Sequence, residues 1–142
     1  MDTWILRLSS QRWISNGIRS LAILHVTASG RETELDVQSL GSSTRLGEVV
    51  RDQIQQGRAR LILDLSAVSK LDEVLLGAIV AGFDIASHSE AVFVVAGLNP
   101  WNRDIFQAGR LDSVIPAFTS LPEALDYVTR ESSVQSPAPS RD

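Results

Sequence analysis

Two aspartates occupy the positions in this sequence where side chains most readily do chemistry. Asp64 lies near the end of the apolar run 60–65, and Asp72 stands directly before a long apolar segment. Carboxylates in such places can serve as a general acid and a general base. Asp72 is equally explained as a helix cap, because its carboxylate can accept the free N–H groups of a first helical turn. An enzyme built on this pair is therefore one alternative, although no nucleophile or metal framework accompanies it.

Other catalytic and metal-binding residue types are scarce. The chain has two histidines and no cysteine, which excludes thiol catalysis and cysteine-ligated metals. We interpret His25, inside an apolar run, and His88, at the end of a helical pattern, as packed or capping residues. The acidic group Glu32, Glu34 and Asp36 is typical of a solvated loop. No phosphate-binding loop or HExxH motif occurs, so the sequence predicts no catalytic residue, no metal, no cofactor and no enzymatic activity.

Composition narrows the class of protein further. With 142 residues, 44% of them hydrophobic and 21% charged, the chain is sized for one domain with a core of its own. The net charge of −4 argues against nucleic-acid binding. No apolar run approaches the roughly 18 residues of a membrane span, so no membrane insertion is expected. The first residues lack the basic and apolar regions of a signal peptide, and we expect a cytoplasmic protein.

The N-terminal half predicts a hairpin followed by a loop and a helix. Residues 12–28 are read as two strands joined at Asn16 and Gly17, a favoured tight-turn pair. Residues 4–8 are predicted as an additional edge strand, and the polar stretch 29–43 as a loop. Apolar residues at helical spacing predict a helix over 44–56 that ends at Gly57.

Strands and helices alternate in the second half. The predicted elements are a strand at 60–65, a turn, a helix at 73–87 capped by Asp72, a strand at 91–96, a helix at 101–108 after Asn99 and Pro100, a short strand at 114–115, and a last helix that begins at Ser120 with Glu123. The helix over 73–87 is apolar almost all round and is predicted as a central buried helix through Leu75, Leu76, Ile79, Val80, Phe83 and Ile85.

This order predicts an α/β fold with a mixed central sheet and helices mainly on one face. We place a single domain over residues 12–130, an N-terminal extension or edge strand over 1–11, and a disordered tail over 131–142.

Residues 61–82, LILDLSAVSKLDEVLLGAIVAG, carry a resemblance to a known family. An apolar strand ends in Asp64-Leu65-Ser66, a turn follows, and Asp72 precedes an apolar helix, which resembles the STAS domain of bacterial anti-anti-sigma factors. The stretch from Val94 to Leu111 and the ending FTSLPEAL are similar to later family motifs, so the resemblance covers about residues 12–129.

One position departs from the family pattern. Phospho-switched members have Ser or Thr after the aspartate, where a kinase-like partner phosphorylates it, whereas this chain has Glu73. A carboxylate is favoured at a helix N-terminus by about 0.3–1 kcal/mol, and it carries part of the charge of a phosphoserine. Two interpretations stay open: Glu73 is a permanent phosphomimic, or the switch has been lost and Glu73 is only a good first-turn residue.

The resemblance also implies a contact surface. In family members the helix after the aspartate contacts the partner, and here that surface comprises Asp72, Glu73, Val74, Gly77, Ala78 and Ala81. The alternative is that Gly77, Ala78 and Ala81 only pack the helix against its own sheet. We expect the loop 30–43 to shape or block this surface.

The implied function is that of a non-enzymatic anti-sigma factor antagonist that competes for a kinase-like anti-sigma factor. The alternatives are a STAS subunit of a lipid-transport complex, a stressosome-like scaffold, or a sensor of a small ligand or nucleotide. A homodimer is left open.

Overall fold

Within the part of the chain that the structure describes, six strands form one sheet and four helices cover it. The computed structural model describes residues 4–14, 18–28, 37–39 and 45–130. Its elements are β1 (Trp4–Ile14), β2 (Ile18–Ala28), β3 (Val37–Ser39), α1 (Arg45–Gln55), β4 (Arg60–Asp64), α2 (Glu73–His88), β5 (Val92–Ala96), α3 (Pro100–Ala108), a 3-10 helix (Leu111–Ser113), β6 (Ala117–Phe118) and α4 (Leu121–Thr129).

The strand order is β3-β1-β2-β4-β5-β6. Strands β2, β4, β5 and β6 run parallel, whereas β1 pairs antiparallel with both β2 and β3. The prediction of a single α/β domain with a mixed sheet is confirmed.

The N-terminal hairpin is longer than the sequence predicts. Strand β1 runs unbroken from Trp4 to Ile14, and its register with β2 extends from Trp4 opposite Ala28 to Ile14 opposite Ile18. The predicted boundary between residues 11 and 12 therefore falls inside β1. Residues 4–8 are not a separate edge strand, since β3 pairs with Ile5–Arg7 on the outer side. Cross-strand pairing with β2 extends β1 through residues 9–11, which lie between the two segments predicted as strands. The turn at Asn16 and Gly17 lies outside the described residues.

The predicted loop 29–43 contains one strand. Residues 37–39 form β3, which is three residues long and exists through its pairing with β1. So short a segment has no periodicity that would reveal it in the sequence. The rest of the loop, with Glu32, Glu34 and Asp36, lies outside the described residues, as does the tail 131–142.

The last strand is displaced from its predicted position. Residues 114–115 were predicted as a strand, but Val114 is 57% exposed and Ile115 is buried in the core. Their N–H groups both bond to Leu111 O, which continues the turn of the 3-10 helix. The N–H of Val95 in β5 instead donates a hydrogen bond to Pro116 O, and the N–H of Gly97 donates one to Phe118 O. The strand prediction at 114–115 was wrong because β5 determines where its partner lies.

The core has two layers, one on each face of the sheet. Helices α1, α2 and α3 cover one face over residues such as Leu46, Ile79 and Phe106, whereas α4 covers the other through Ala124 and Val128. Helices therefore lie mainly on one face, as predicted. The wholly buried positions of α2 are largely small, namely Ala78, Gly82 and Ala86 beside Leu75 and Ile79. A Cβ on Gly82 would stand 3.3 Å from Leu46 Cγ, so these residues let α2 approach α1 closely.

The prediction that α2 is apolar and buried almost all round needs one correction. Val80 is 45% exposed and Val74 is 47% exposed, so the helix has an outer face with apolar side chains on it. The three predicted helix caps are confirmed: Asp72, Asn99 and Ser120 each accept the N–H of the residue three positions later.

Candidate partner-binding surface

The segment that leads to the predicted surface begins where β4 ends, at a carboxylate that accepts from two donors. Asp64 Oδ1 accepts the N–H of Ser66 at 3.0 Å, and Asp64 Oδ2 accepts His25 Nδ1–H at 2.8 Å. His25 lies opposite Asp64 in the parallel register of β2 and β4. The two residues are 39 positions apart, so the sequence gives no indication that they form a hydrogen bond.

The chain turns away from the sheet directly after Asp64, close against Gly97. Gly97 has a φ of +82°, and a Cβ there would stand 2.7 Å from the backbone nitrogen of Ser66. Glycine is required both for this backbone conformation and for the close approach of the two chain segments. The start of the β4–α2 loop, which comprises residues 65–72, is therefore held against Gly97, directly after β5, as well as by Asp64.

The loop ends at the N-terminus of α2. Asp72 adopts an extended conformation, and its Oδ1 accepts the N–H of Leu75 at 2.8 Å. Glu73 follows in the first turn with an exposed side chain. A carboxylate there interacts favourably with the positive end of the helix dipole.

The six predicted surface residues divide into three groups. Asp72, Glu73 and Val74 are exposed, and Gly77 and Ala81 are partly exposed on the same side of α2. Ala78 is completely buried in the core. Ala78 therefore belongs to the packing of α2 on the sheet, and its inclusion in a contact surface was wrong.

The model of the STAS domain family matches residues 38–124, which is more than half of the chain. This protein belongs to the STAS domain family. No curated protein matches the chain.

Several solved structures are similar to this STAS domain. A candidate anti-sigma factor antagonist from Thermotoga maritima is 20% identical, with 84% of this chain and 94% of that chain covered and a TM-score of 0.57. An anti-sigma-factor antagonist (STAS) domain protein from Planctomyces limnophilus is 14% identical, with 85% and 98% covered and a TM-score of 0.57. An anti-sigma factor antagonist from Mycobacterium paratuberculosis is 21% identical, with 87% and 95% covered and a TM-score of 0.50. At these identities the likeness shows the fold.

The two acids considered for catalysis have structural partners in this STAS domain. Asp64 holds His25 and the Ser66 backbone, and Asp72 caps α2. Within the part of the chain that the structure describes, no three His, Asp or Glu side chains are grouped as metal ligands. His88 lies at the exposed end of α2, where its Nδ1–H donates to Asp84 O at 2.8 Å.

Sequence analysis did not identify one exposed aromatic residue that lies beside the β4–α2 loop. Trp101, in the first turn of α3, is 55% exposed, and the Lys70 ammonium of the β4–α2 loop lies 4.9 Å from the centre of its ring. A cation over an indole ring is attracted by its electron-rich face. The helical pattern of residues 101–108 places Trp101 on α3 but says nothing of its proximity to Lys70.

None of the helices formed by the described residues is both long and apolar enough to cross a bilayer.

Proposed function

We propose that this STAS domain is a non-enzymatic regulator that binds a kinase-like anti-sigma factor and thereby frees a sigma factor in the cytoplasm. The observation that carries the proposal is the exposed N-terminal end of α2, where Asp72, Glu73 and Val74 are presented together at a capped helix start. Family membership and the antagonist structures that share the fold support it. Recognition occurs by shape and charge, and the chain performs no reaction.

The side chain of residue 73 cannot be phosphorylated as a serine or threonine can, so this position does not serve as a phosphorylation switch. Glu73 has no hydroxyl group, whereas the resemblance implies Ser or Thr at this point in phospho-switched relatives. Its single negative charge is less than the −1.5 to −2 that a phosphate carries at about pH 7. Both interpretations of Glu73, the phosphomimic and the lost switch, are compatible with its exposed position in the first turn of α2.

The helix face beyond Glu73 suits close contact with a partner. Gly77 and Ala81 are small and partly exposed, so a partner can approach the backbone of α2. Val74 contributes an exposed apolar side chain beside them. An apolar centre next to charged groups is the usual composition of a protein interface.

The test is affinity capture from the lysate of the native organism, with wild type beside Glu73→Ser and read by mass spectrometry. Asp84→Ser is the matched control, since it removes an exposed carboxylate about three turns further along α2. Capture of an ATP-binding kinase-like anti-sigma factor by the wild type, followed by release of sigma factor when purified wild type is added to its complex, supports the proposal. Capture by Glu73→Ser but not by the wild type shows that Glu73 itself prevents binding of the anti-sigma factor.

Other outcomes of the capture experiment, and a separate thermal-shift measurement, favour the alternatives. Copurification with the ATPase of an ABC transporter identifies a lipid-transport subunit, and assembly into large particles identifies a scaffold. A rise in melting temperature above about 2 °C with GTP or ATP identifies a nucleotide sensor, since a ligand that binds only the folded state stabilises it.

A further inference from the structure

Asn102 is a polar side chain that is completely buried beneath the β4–α2 loop. It lies in the first turn of α3. Both the oxygen and the nitrogen of its side-chain amide form hydrogen bonds with the backbone of that loop. Asn102 Oδ1 accepts the N–H of Leu71 at 2.9 Å, and Asn102 Nδ2 donates to Val68 O at 2.9 Å. One planar group therefore holds two loop residues at once, across 31 and 34 positions of sequence.

The same turn of α3 holds the loop at two more points. Asn99 Oδ1 caps α3 by accepting the N–H of Asn102 at 2.8 Å, while Asn99 Nδ2 donates to Ser69 O at 3.0 Å. Lys70 lies over the Trp101 ring. Each of the four residues from Val68 to Leu71 thus contacts the N-terminal turn of α3.

The chemistry of Asn102 suits holding this loop better than filling space. A buried amide is costly unless its donor and acceptor both find partners, so an apolar residue is the simpler choice for packing. The N–H of Leu71 and the carbonyl of Val68 belong to neither a helix nor a strand, and they too require partners. Leu71 directly precedes Asp72, so the position of Leu71 determines where the α2 cap and Glu73 lie.

We propose that Asn102 is the positioning residue of the partner-binding surface: from α3 it holds the β4–α2 loop in the one arrangement that presents Glu73 and Val74 to a partner. This inference rests on the proposed function. A surface that is already ordered loses less conformational entropy on binding, so its affinity is higher than that of the same residues on a loose loop.

The test compares three variants of the full chain. Asn102→Leu keeps the number and branching of the side-chain heavy atoms and removes both bonds to the loop. Asn99→Asp keeps a side-chain oxygen that can cap α3 but removes the amide donor to Ser69 O. Phe106→Leu is the control for stability, because Phe106 is completely buried on the same helix and lies in the core.

Two quantities are measured for each variant. Amide hydrogen exchange of residues 66–76 reports the order of the loop, and the dissociation constant for the captured anti-sigma factor reports binding. For Asn102→Leu we expect exchange at Leu71 to be faster by about tenfold or more and binding to be weaker by about the same factor, since a backbone N–H loses its acceptor. Asn99→Asp should show a smaller change in the same direction, and Phe106→Leu should bind like the wild type.

Two results overturn the inference: unchanged exchange at Leu71 in Asn102→Leu, or weaker binding in Phe106→Leu by the same factor as in Asn102→Leu. If the wild type captures no kinase-like anti-sigma factor, the proposed function fails. In that case the exchange measurement still decides whether Asn102 holds the loop.

Discussion

The imidazole of His25 and the carboxylate of Asp64 are paired across β2 and β4, with Nδ1 2.8 Å from Oδ2. Asp64 is nearly buried, with a side chain 10% exposed, and its other oxygen accepts the N–H of Ser66. The pair therefore ties the central strands together at the point where the chain leaves the sheet toward α2.

Replacing His25 should destabilise the fold. His25→Phe leaves a buried acceptor without its donor, so we expect the free energy of unfolding to fall by about 1–3 kcal/mol in urea denaturation. His88→Phe is the control, because His88 is exposed at the end of α2, and its effect should stay within about 0.5 kcal/mol. An equal loss of unfolding free energy in the two variants would show that the His25–Asp64 pair makes no specific contribution to stability.

Two glycines with similar backbone conformations should respond differently to alanine. Gly57 and Gly97 have φ values of +90° and +82°, but a Cβ on Gly57 meets nothing within 4 Å, whereas one on Gly97 collides with the Ser66 backbone. We expect Gly57→Ala to cost about 1–2 kcal/mol through backbone strain alone. Gly97→Ala should cost about 2–5 kcal/mol, because the strain and the collision add. Thermal and urea unfolding measure both, and a smaller loss for Gly97→Ala contradicts the close approach.

An exposed apolar side chain on α2 should matter for binding. Val74→Asp places a charge on the proposed surface, and we expect it to weaken capture of the anti-sigma factor about tenfold or more without a large loss of stability. Val114→Asp is the matched control, since Val114 is similarly exposed but follows the 3-10 helix rather than lying on α2. Equal binding by the two variants would remove Val74 from the surface.

Residue 73 can be tested by restoring the hydroxyl group. If the switch was lost by a single substitution, Glu73→Ser should accept phosphate from the kinase-like partner, because the serine lies exposed in the first turn of α2. Phosphopeptide mapping after incubation with ATP measures the transfer. Asp84→Ser, on the same helix, should remain unmodified at residue 84. No transfer to Ser at position 73 by a kinase active on another substrate argues against a simple lost switch.

Much of the region around α2 was predictable because its determinants are local. Asp72, Asn99 and Ser120 each bond to a backbone N–H three residues later, so cap and helix start can be read together. The family motif around Asp64 and Asp72 likewise lies in one continuous stretch. These features supported the predictions of the α/β fold, of the start of α2 and of the exposed position of Glu73.

The sequence was a poor guide wherever a distant segment decides the outcome. Apolar periodicity did not separate buried Ala78 from exposed Val80, because which side of α2 faces the sheet depends on its packing with α1 and β5. Strand β3 and the shift of the last strand to Ala117–Phe118 follow from pairing with β1 and β5.

The sequence by itself thus determined the class of fold, because that class follows from the order of strands and helices along the chain. It also determined the caps and the chemical character of the α2 terminus, since these depend on residues within about one helical turn of each other. Only the tertiary structure decided that His25 holds Asp64 and that Asn102 holds Leu71. Those contacts join segments more than 30 positions apart, and the sheet register and helix packing alone bring them within hydrogen-bonding distance.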